Sequence, residues 1–259
     1  MTGTTLAQVE TLGRRAVIRT ARQPANVVFP LVFPMLLLAV NAGGLKAETN
    51  LPGFPTDSFL AFALAVPFVQ GALLATINAN VELARDIQTG FLNRLALTPV
   101  RGLVLLVGQL GGLLTIALVQ AVFYLAVGVA FGVRLETGIG GAALLLVLEA
   151  VIVLGFAAFG SWAALRTGST EAVQGLFPVF FVFLFLSSMN IPRNLIETDW
   201  FRWVATINPV SYLIEAVRAL VIDGWNWETI GLGFAVAGGM SVVGFALAAH
   251  ALVNRLERT

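Results

Sequence analysis

Long stretches without a formal charge constrain this chain more than any other feature. Uncharged, mostly apolar runs occupy residues 23–45, 58–81, 102–133, 172–192 and 229–254, and a sixth, 137–165, is interrupted only by Glu149. A helix needs about 20 apolar residues to cross roughly 30 Å of hydrocarbon. Charged residues make up 11% of the chain, less than half of the roughly 25% usual in soluble domains. A water-soluble core could not hide so much apolar surface. The reading is an all-α, polytopic membrane protein with six transmembrane helices, forming a single domain over 1–259. The third run would make about 48 Å of helix at about 1.5 Å per residue. That is too long for one straight crossing and too short for two, so it is read as one helix that extends past the membrane.

The positive-inside rule sets the orientation. With both termini inside, the inner segments hold Arg14, Arg15, Arg19, Arg22, Arg85, Arg94, Arg101, Arg166, Arg255 and Arg258. The outer ones hold Lys46, Arg134, Arg193, Arg202 and Arg218. The expectation is a multi-pass protein of the cytoplasmic (inner) membrane, N-in and C-in. The arginines near the N-terminus are followed by no short apolar core with a small-residue cleavage site, so no cleavable signal is expected.

Two flanking segments are amphipathic. In 5–22, Leu6, Val9, Gly13, Ala16 and Val17 share one helical face, while Gln8, Thr11, Arg15, Arg19 and Arg22 share the other. That pattern suits a helix lying on the inner leaflet. The outer segment, 193–228, carries Trp200, Trp203, Tyr212, Trp225 and Trp227, and aromatic rings favour the interface. Asn208-Pro209 breaks it into two short helices. In the second helix, Glu215 and Arg218 stand at i,i+3 and are expected to ion-pair. These are read as short re-entrant helices dipping into the outer membrane.

Several chemistries are excluded. A net charge of +1 suggests no nucleic acid, and the absence of Cys removes thiolate metal sites and thiol nucleophiles. The lone His250, near the end of the last run, cannot supply a zinc site or a His-based triad. Asp57, Asp86, Asp199 and Asp223 all lie outside the apolar runs, so an intramembrane aspartyl pair is absent. The expectation is no catalytic residue, no metal and no cofactor in this chain. A phosphate-binding loop needs G-x-x-x-x-G-K-[ST]; the single lysine, Lys46, follows Leu45 and is assigned outside. A channel or ion-coupled transporter usually marks its path with intramembrane charges, and only Glu149 qualifies.

The segment 82–101 is read as cytoplasmic. On a helix from Glu82, Leu83, Ile87, Phe91 and Leu95 repeat every four residues, with Glu82, Arg85, Asp86, Thr89 and Asn93 over much of the remainder. The helix is expected to end near Leu97, before Thr98-Pro99. One face can pack on the bundle while the other meets water or a partner.

The stretch RDIQTGFLNRLALTPVRGLVLLVGQ resembles the cytoplasmic loop of type-2 ABC exporter permeases, in the daunorubicin/doxorubicin-resistance branch. A second stretch, SSMNIPRNLIETDWFRWVATINPVSYLIEAVRAL, is similar to the outer segment of that family. The resemblance implies two permease copies, or a permease and its paralogue, each docked to a cytoplasmic ATPase subunit that holds ATP and Mg. Residues 82–97 would be the coupling helix, with Glu82, Arg85, Asp86, Gly90, Phe91, Arg94, Leu95, Thr98, Pro99 and Arg101 at the ATPase contact, and 5–22 a connecting helix. The implied function is outward export of amphipathic drugs, antibiotics or lipids. Alternatives are export of a lipid-linked polysaccharide and ion-coupled transport.

Candidate pathway residues follow from the runs and, for the second and fifth spans, from the resemblance. Gln174, Phe177, Pro178, Phe181, Phe185 and Ser188 fall on one face of a continuous fifth helix, an aromatic stripe with polar ends. The second run offers Gln70, Thr76, Asn78 and Asn80, which suit a protein-facing or hydrated surface. Glu149 stands about 18 Å from Thr137 along a helix, near mid-membrane, where a charged acid costs at least roughly 2.5 kcal/mol. It is read either as a protonated acid bonded to Gln120 or Asn78, or as an anchor for cationic cargo.

Overall fold

A computed structural model describes the backbone of residues 24–90 and 102–256, with side chains for 28–90 and 110–255. All regular structure in these residues is helical. The elements are α1 (Pro24–Gly44), α2 (Phe59–Ala63), α3 (Ala65–Gln88), α4 (Gly102–Ala130), α5 (Gly138–Thr167), α6 (Thr170–Gln174), α7 (Leu176–Phe185), α8 (Asp199–Ile207), α9 (Pro209–Arg218) and α10 (Trp227–Leu256). Short 3-10 turns occupy Lys46–Asn50 and Arg193–Leu195, and a π turn covers Ala219–Asp223.

Proline chemistry explains where these helices break or need help. Pro34 inside α1 has no N–H for the carbonyl of Pro30. The Tyr124 hydroxyl of α4 donates to that carbonyl instead, so the acceptor freed by the proline keeps a partner. Pro67 likewise cannot reach the carbonyl of Ala63, and α2 and α3 are separate helices on either side of Leu64. Pro178 leaves the carbonyl of Gln174 without a helical donor, at the break between α6 and α7.

Four stretches have the length and hydropathy of a full crossing: Phe59–Gln88, Leu110–Ala130, Gly138–Thr167 and Trp227–Arg255. Asp199–Ile207 and Pro209–Asp223, bent by 81°, make a fifth if taken as one broken span. The apolar stretches Val28–Gly44 and Thr170–Phe185 are shorter. The run 172–192 is therefore not the single continuous helix expected of it. It is helical only to Phe185, broken at Gly175, and then turns; the hydroxyl of Ser187 bonds back to the carbonyl of Leu184.

The centre of the bundle is α3. Of the most apolar window of Phe59–Gln88, which joins α2 to α3, 89% is buried, against 22% for that of Trp227–Arg255. Around it pack α1, α4, α5 and α9, and α10 lies along α5 and α9. Close approach depends on particular glycines. A Cβ at Gly160 of α5 would stand 2.2 Å from the Asn80 amide, and one at Gly233 of α10 would stand 2.2 Å from the Cβ of Ala216 on α9. At Gly128 of α4 it would meet Leu64.

Candidate functional site

At one end of the bundle, α3 runs without a break past Val81 to Gln88. Glu82, Arg85 and Asp86 are thus the last turns of the central helix and not the start of a new one. No breaker stands between Val81 and Gln88. Termination comes from Thr89, whose hydroxyl bonds to the carbonyl of Arg85, and from Gly90, whose φ of +68° favours glycine. Leu83 and Ile87 are buried against Leu165, Val173 and Ala251, as the apolar face requires. Glu82 and Arg85 pair at 3.2 Å on the more exposed side. The end of α10 is tied in by Arg255, which donates to the carbonyl of Leu165 at the end of α5. Phe91, Arg94, Leu95, Thr98, Pro99 and Arg101 lie outside the described residues, as does the segment 5–22.

In the middle of the bundle, Gln70 and Glu149 are each 1% exposed, inside the helix packing and away from any open surface. Gln120 of α4 is buried with them, and its side-chain amide has no hydrogen-bond partner. Neither Gln120 nor Asn78 bonds to Glu149, contrary to one expectation; the Glu149 Oε2 is without a partner, and the group in electrostatic reach is Tyr124. Asn78 is half-buried. Its neighbour Asn80 makes the polar contact between α3 and α5. The Asn80 amide donates to the carbonyls of Thr76 (2.8 Å) and Ala157 (3.3 Å), and Ser161 donates to its oxygen at 2.9 Å. Small residues on α5 allow this, because Gly160 leaves room for the Asn80 side chain.

The aromatic stripe of α7 is present as a ladder. Phe177 and Phe181 have ring centroids 4.5 Å apart, and Phe181 and Phe185 5.8 Å. Phe33 of α1 joins at 6.4 Å from Phe181 and stacks on Phe29 at 5.2 Å. Gln174 is exposed and sits just before the break at Gly175. Ser188 does not belong to the stripe. It lies beyond the helix end, fully buried, with its N–H donating to the Ser211 hydroxyl.

At the opposite end from Gln88, α8 and α9 form a bent hairpin. The Asn208 side chain caps α9 through the N–H of Val210, and its amide donates to the carbonyl of Phe183 at the end of α7. Pro209 occupies the first turn of α9, where its missing N–H costs nothing. The ion pair expected between Glu215 and Arg218 is not the hydrogen-bonded one. Glu215 pairs with Arg193 across the hairpin, and the Arg193 guanidinium also lies 4.5 Å from the Tyr212 ring. Arg218 is 4% exposed. It donates to the carbonyls of Phe62 (3.1 Å), Ser188 (2.6 Å) and Met189, and sits 3.5 Å from the centre of the Phe62 ring. The physical reason is position on the helix. Arg218 is on the buried side of α9, where the non-helical chain after α7 presents carbonyls. A buried guanidinium with its fork of donors suits such a site. Only the tertiary fold brings Arg193 to Glu215, from 22 residues away.

The comparisons with known proteins agree with one another. A family model described as ABC-2 type transporter matches residues 7–222. A protein of Pyropia yezoensis that carries the name transport permease ycf38 is 28% identical over 230 residues, covering 86% of this chain and 77% of its own. A protein of Mycobacterium tuberculosis named as a doxorubicin resistance ABC transporter permease, DrrC, is 26% identical over 220 residues, covering 85% and 78% respectively.

Proposed function

The chain belongs to the ABC-2 type transporter family, and from that membership we propose that it is the membrane-spanning permease of an ATP-driven exporter. Its cargo would be amphipathic drugs, antibiotics or lipids moved outward across the cytoplasmic membrane. The observation that carries this reading is the family match across 7–222, joined to likeness with a relative named for doxorubicin resistance. Two permease copies, or a copy and a paralogue, would pair in the bilayer, each seated on a cytoplasmic ATPase subunit that binds ATP and Mg. The chain would cross six times with both termini inside, an orientation supported by ten inner against five outer basic residues, assigned by position. The segments Pro24–Gly44 and Thr170–Phe185 would supply the two shorter crossings.

The geometry offers a route for coupling. The central helix α3 continues directly into Glu82–Gln88. A displacement of that end by the ATPase, received through Glu82–Arg101, would move a rigid rod that touches α1, α4, α5 and α9. The aromatic ladder of α7 and α1 is the surface suited to a flat apolar guest.

The test is reconstitution with and without the ATPase partner in inside-out vesicles. Accumulation of an amphipathic dye should need ATP and both subunits, and should survive an ionophore that collapses ion gradients. Dependence on the gradient in place of ATP would favour the ion-coupled alternative. Phe91→Asp should abolish transport while dye binding to the permease persists; equal loss of both would remove the coupling role from 82–97. A lipid-linked polysaccharide is the competing cargo, since the ycf38 relative's name specifies none. Copurified lipids identified by mass spectrometry would separate the two.

A further inference from the structure

We infer that the hairpin end of the bundle carries a binding site for the ammonium group of an amphipathic molecule, with Asp223 as its counter-ion. A cavity of about 370 Å³ opens there, between the hairpin and α2. Phe62, Pro192 and Ile222 form apolar wall, and four charged side chains, Arg193, Glu215, Arg218 and Asp223, line the remainder.

These charges differ in what they still have to offer. Arg218 already donates to three carbonyls, and Arg193 is paired with Glu215. Asp223 accepts no hydrogen bond and makes no close ion pair with any described residue; Arg218 and Glu215 act on it only through space. Asp223 is exposed and lines the cavity. Both guanidinium groups therefore already have partners, whereas the Asp223 carboxylate has none at hydrogen-bond distance among the described residues. That asymmetry favours a ligand that brings positive charge over one that brings an anion.

The site is also held in place. Asp223 ends the π turn Ala219–Asp223, and such turns cluster at functional positions. The turn is anchored to the start of α5 twice. Thr137 donates to the carbonyl of Leu220, and the N–H of Glu136 donates to that of Val221.

Depth argues for an amphipathic ligand. Trp200 and Trp203, 64% and 65% exposed, lie on α8, the first arm of the hairpin. Trp225 and Trp227 follow it, stacked at 5.1 Å and exposed. Exposed indoles at both ends mark the headgroup level of a bilayer, and a cavity there meets molecules with an apolar body and a polar head. The ammonium can come from an aminophospholipid headgroup or from a cationic amphiphile. The site itself does not depend on the transport reading.

The test uses the whole purified chain in nanodiscs of mixed phosphatidylethanolamine and phosphatidylglycerol, with octadecyltrimethylammonium as a second probe. Wild type is compared with Asp223→Asn, and with Glu171→Gln as a matched exposed carboxylate at the other end of the bundle. Native mass spectrometry counts retained lipid, and thermal melting confirms that all three proteins are folded. The expected result is preferential retention of phosphatidylethanolamine, reduced about fivefold in Asp223→Asn only. If instead phosphatidylethanolamine is retained no better than phosphatidylglycerol but the quaternary probe binds in an Asp223-dependent way, the site stands and its ligand is a non-lipid cation. Equal retention of lipids and probe by wild type and Asp223→Asn overturns the inference.

Discussion

Replacing Arg218 with Met keeps an unbranched, mostly apolar stem and removes the charge and every donor. The carbonyls of Phe62, Ser188 and Met189 then lose a guanidinium hydrogen bond. Phe62 lies in a short helix, but Ser188 and Met189 follow the end of α7, where no helical N–H replaces the loss. A buried acceptor left unsatisfied costs about 1–3 kcal/mol, so these two carbonyls alone account for roughly 2–6 kcal/mol. The contact with the Phe62 ring adds about 1–2 kcal/mol when desolvated. Against this stands the relief of no longer burying a cation, which offsets several kcal/mol. The net expectation is a destabilisation of about 2–4 kcal/mol, or a fall in melting temperature of roughly 5–15 °C for a chain of this size. The measurement is a thermal melt of detergent-solubilised protein with a local probe. The chain has no Cys, so a single cysteine at Asn190 reports the loosening of the turn after α7 through its thiol-labelling rate. Arg218→Lys keeps the charge but loses the fork, and should fall between the two. The ion-pair view makes a different forecast: Glu215→Gln would then match Arg218→Met. Because Glu215 is bonded to Arg193, that substitution should cost only about 1 kcal/mol and leave Asn190 protected. An Arg218→Met protein that melts like wild type, or a Glu215→Gln protein that melts as low as Arg218→Met, would refute the carbonyl-clamp reasoning.

Other expectations are more compact. Asn80→Ala removes two donated bonds and the acceptor of Ser161, and should destabilise the protein by about 1–3 kcal/mol in the same melting assay; an unchanged melt would show that the network contributes nothing net. Gly233→Ala drives a methyl against Ala216 and the backbone of Tyr212, so it should lower stability by about 1–3 kcal/mol and raise thiol labelling of single cysteines along α9. Glu149→Gln, at a side chain 1% exposed within the helix core, should leave transport of cationic and neutral amphiphiles unchanged; selective loss of the cationic ones would identify Glu149 as a cargo anchor. Tyr124→Phe removes the hydroxyl that serves the free carbonyl above Pro34, and should cost about 1–3 kcal/mol, read from the melting curve.

What the sequence alone determined was whatever depends on run length and period. Apolar runs of membrane-crossing length dictate helices, because the hydrocarbon leaves backbone groups no partner but their own segment. The apolar repeat at Leu83 and Ile87 was legible for the same reason: its partners lie on one helix, at fixed angular spacing. Asn208-Pro209 announced a break that is local chemistry, and the break is there. The hairpin's electrostatics were not legible. Glu215 and Arg218 stand at a spacing that permits pairing, yet Arg193 reaches Glu215 and Arg218 turns to three carbonyls. Spacing along one helix says which groups can meet; it says nothing of competitors arriving from residue 62, 188 or 193. The fifth run shows the same limit. Its composition suits a helix throughout, but Pro178 breaks it and a buried guanidinium rewards the turn after Phe185, so Ser188 leaves the aromatic face on which periodicity placed it. Tyr124 was overlooked because the carbonyl it satisfies belongs to Pro30, 94 residues away. Long-range partners of buried polar groups are chosen by packing, and packing exists only once the helices have assembled.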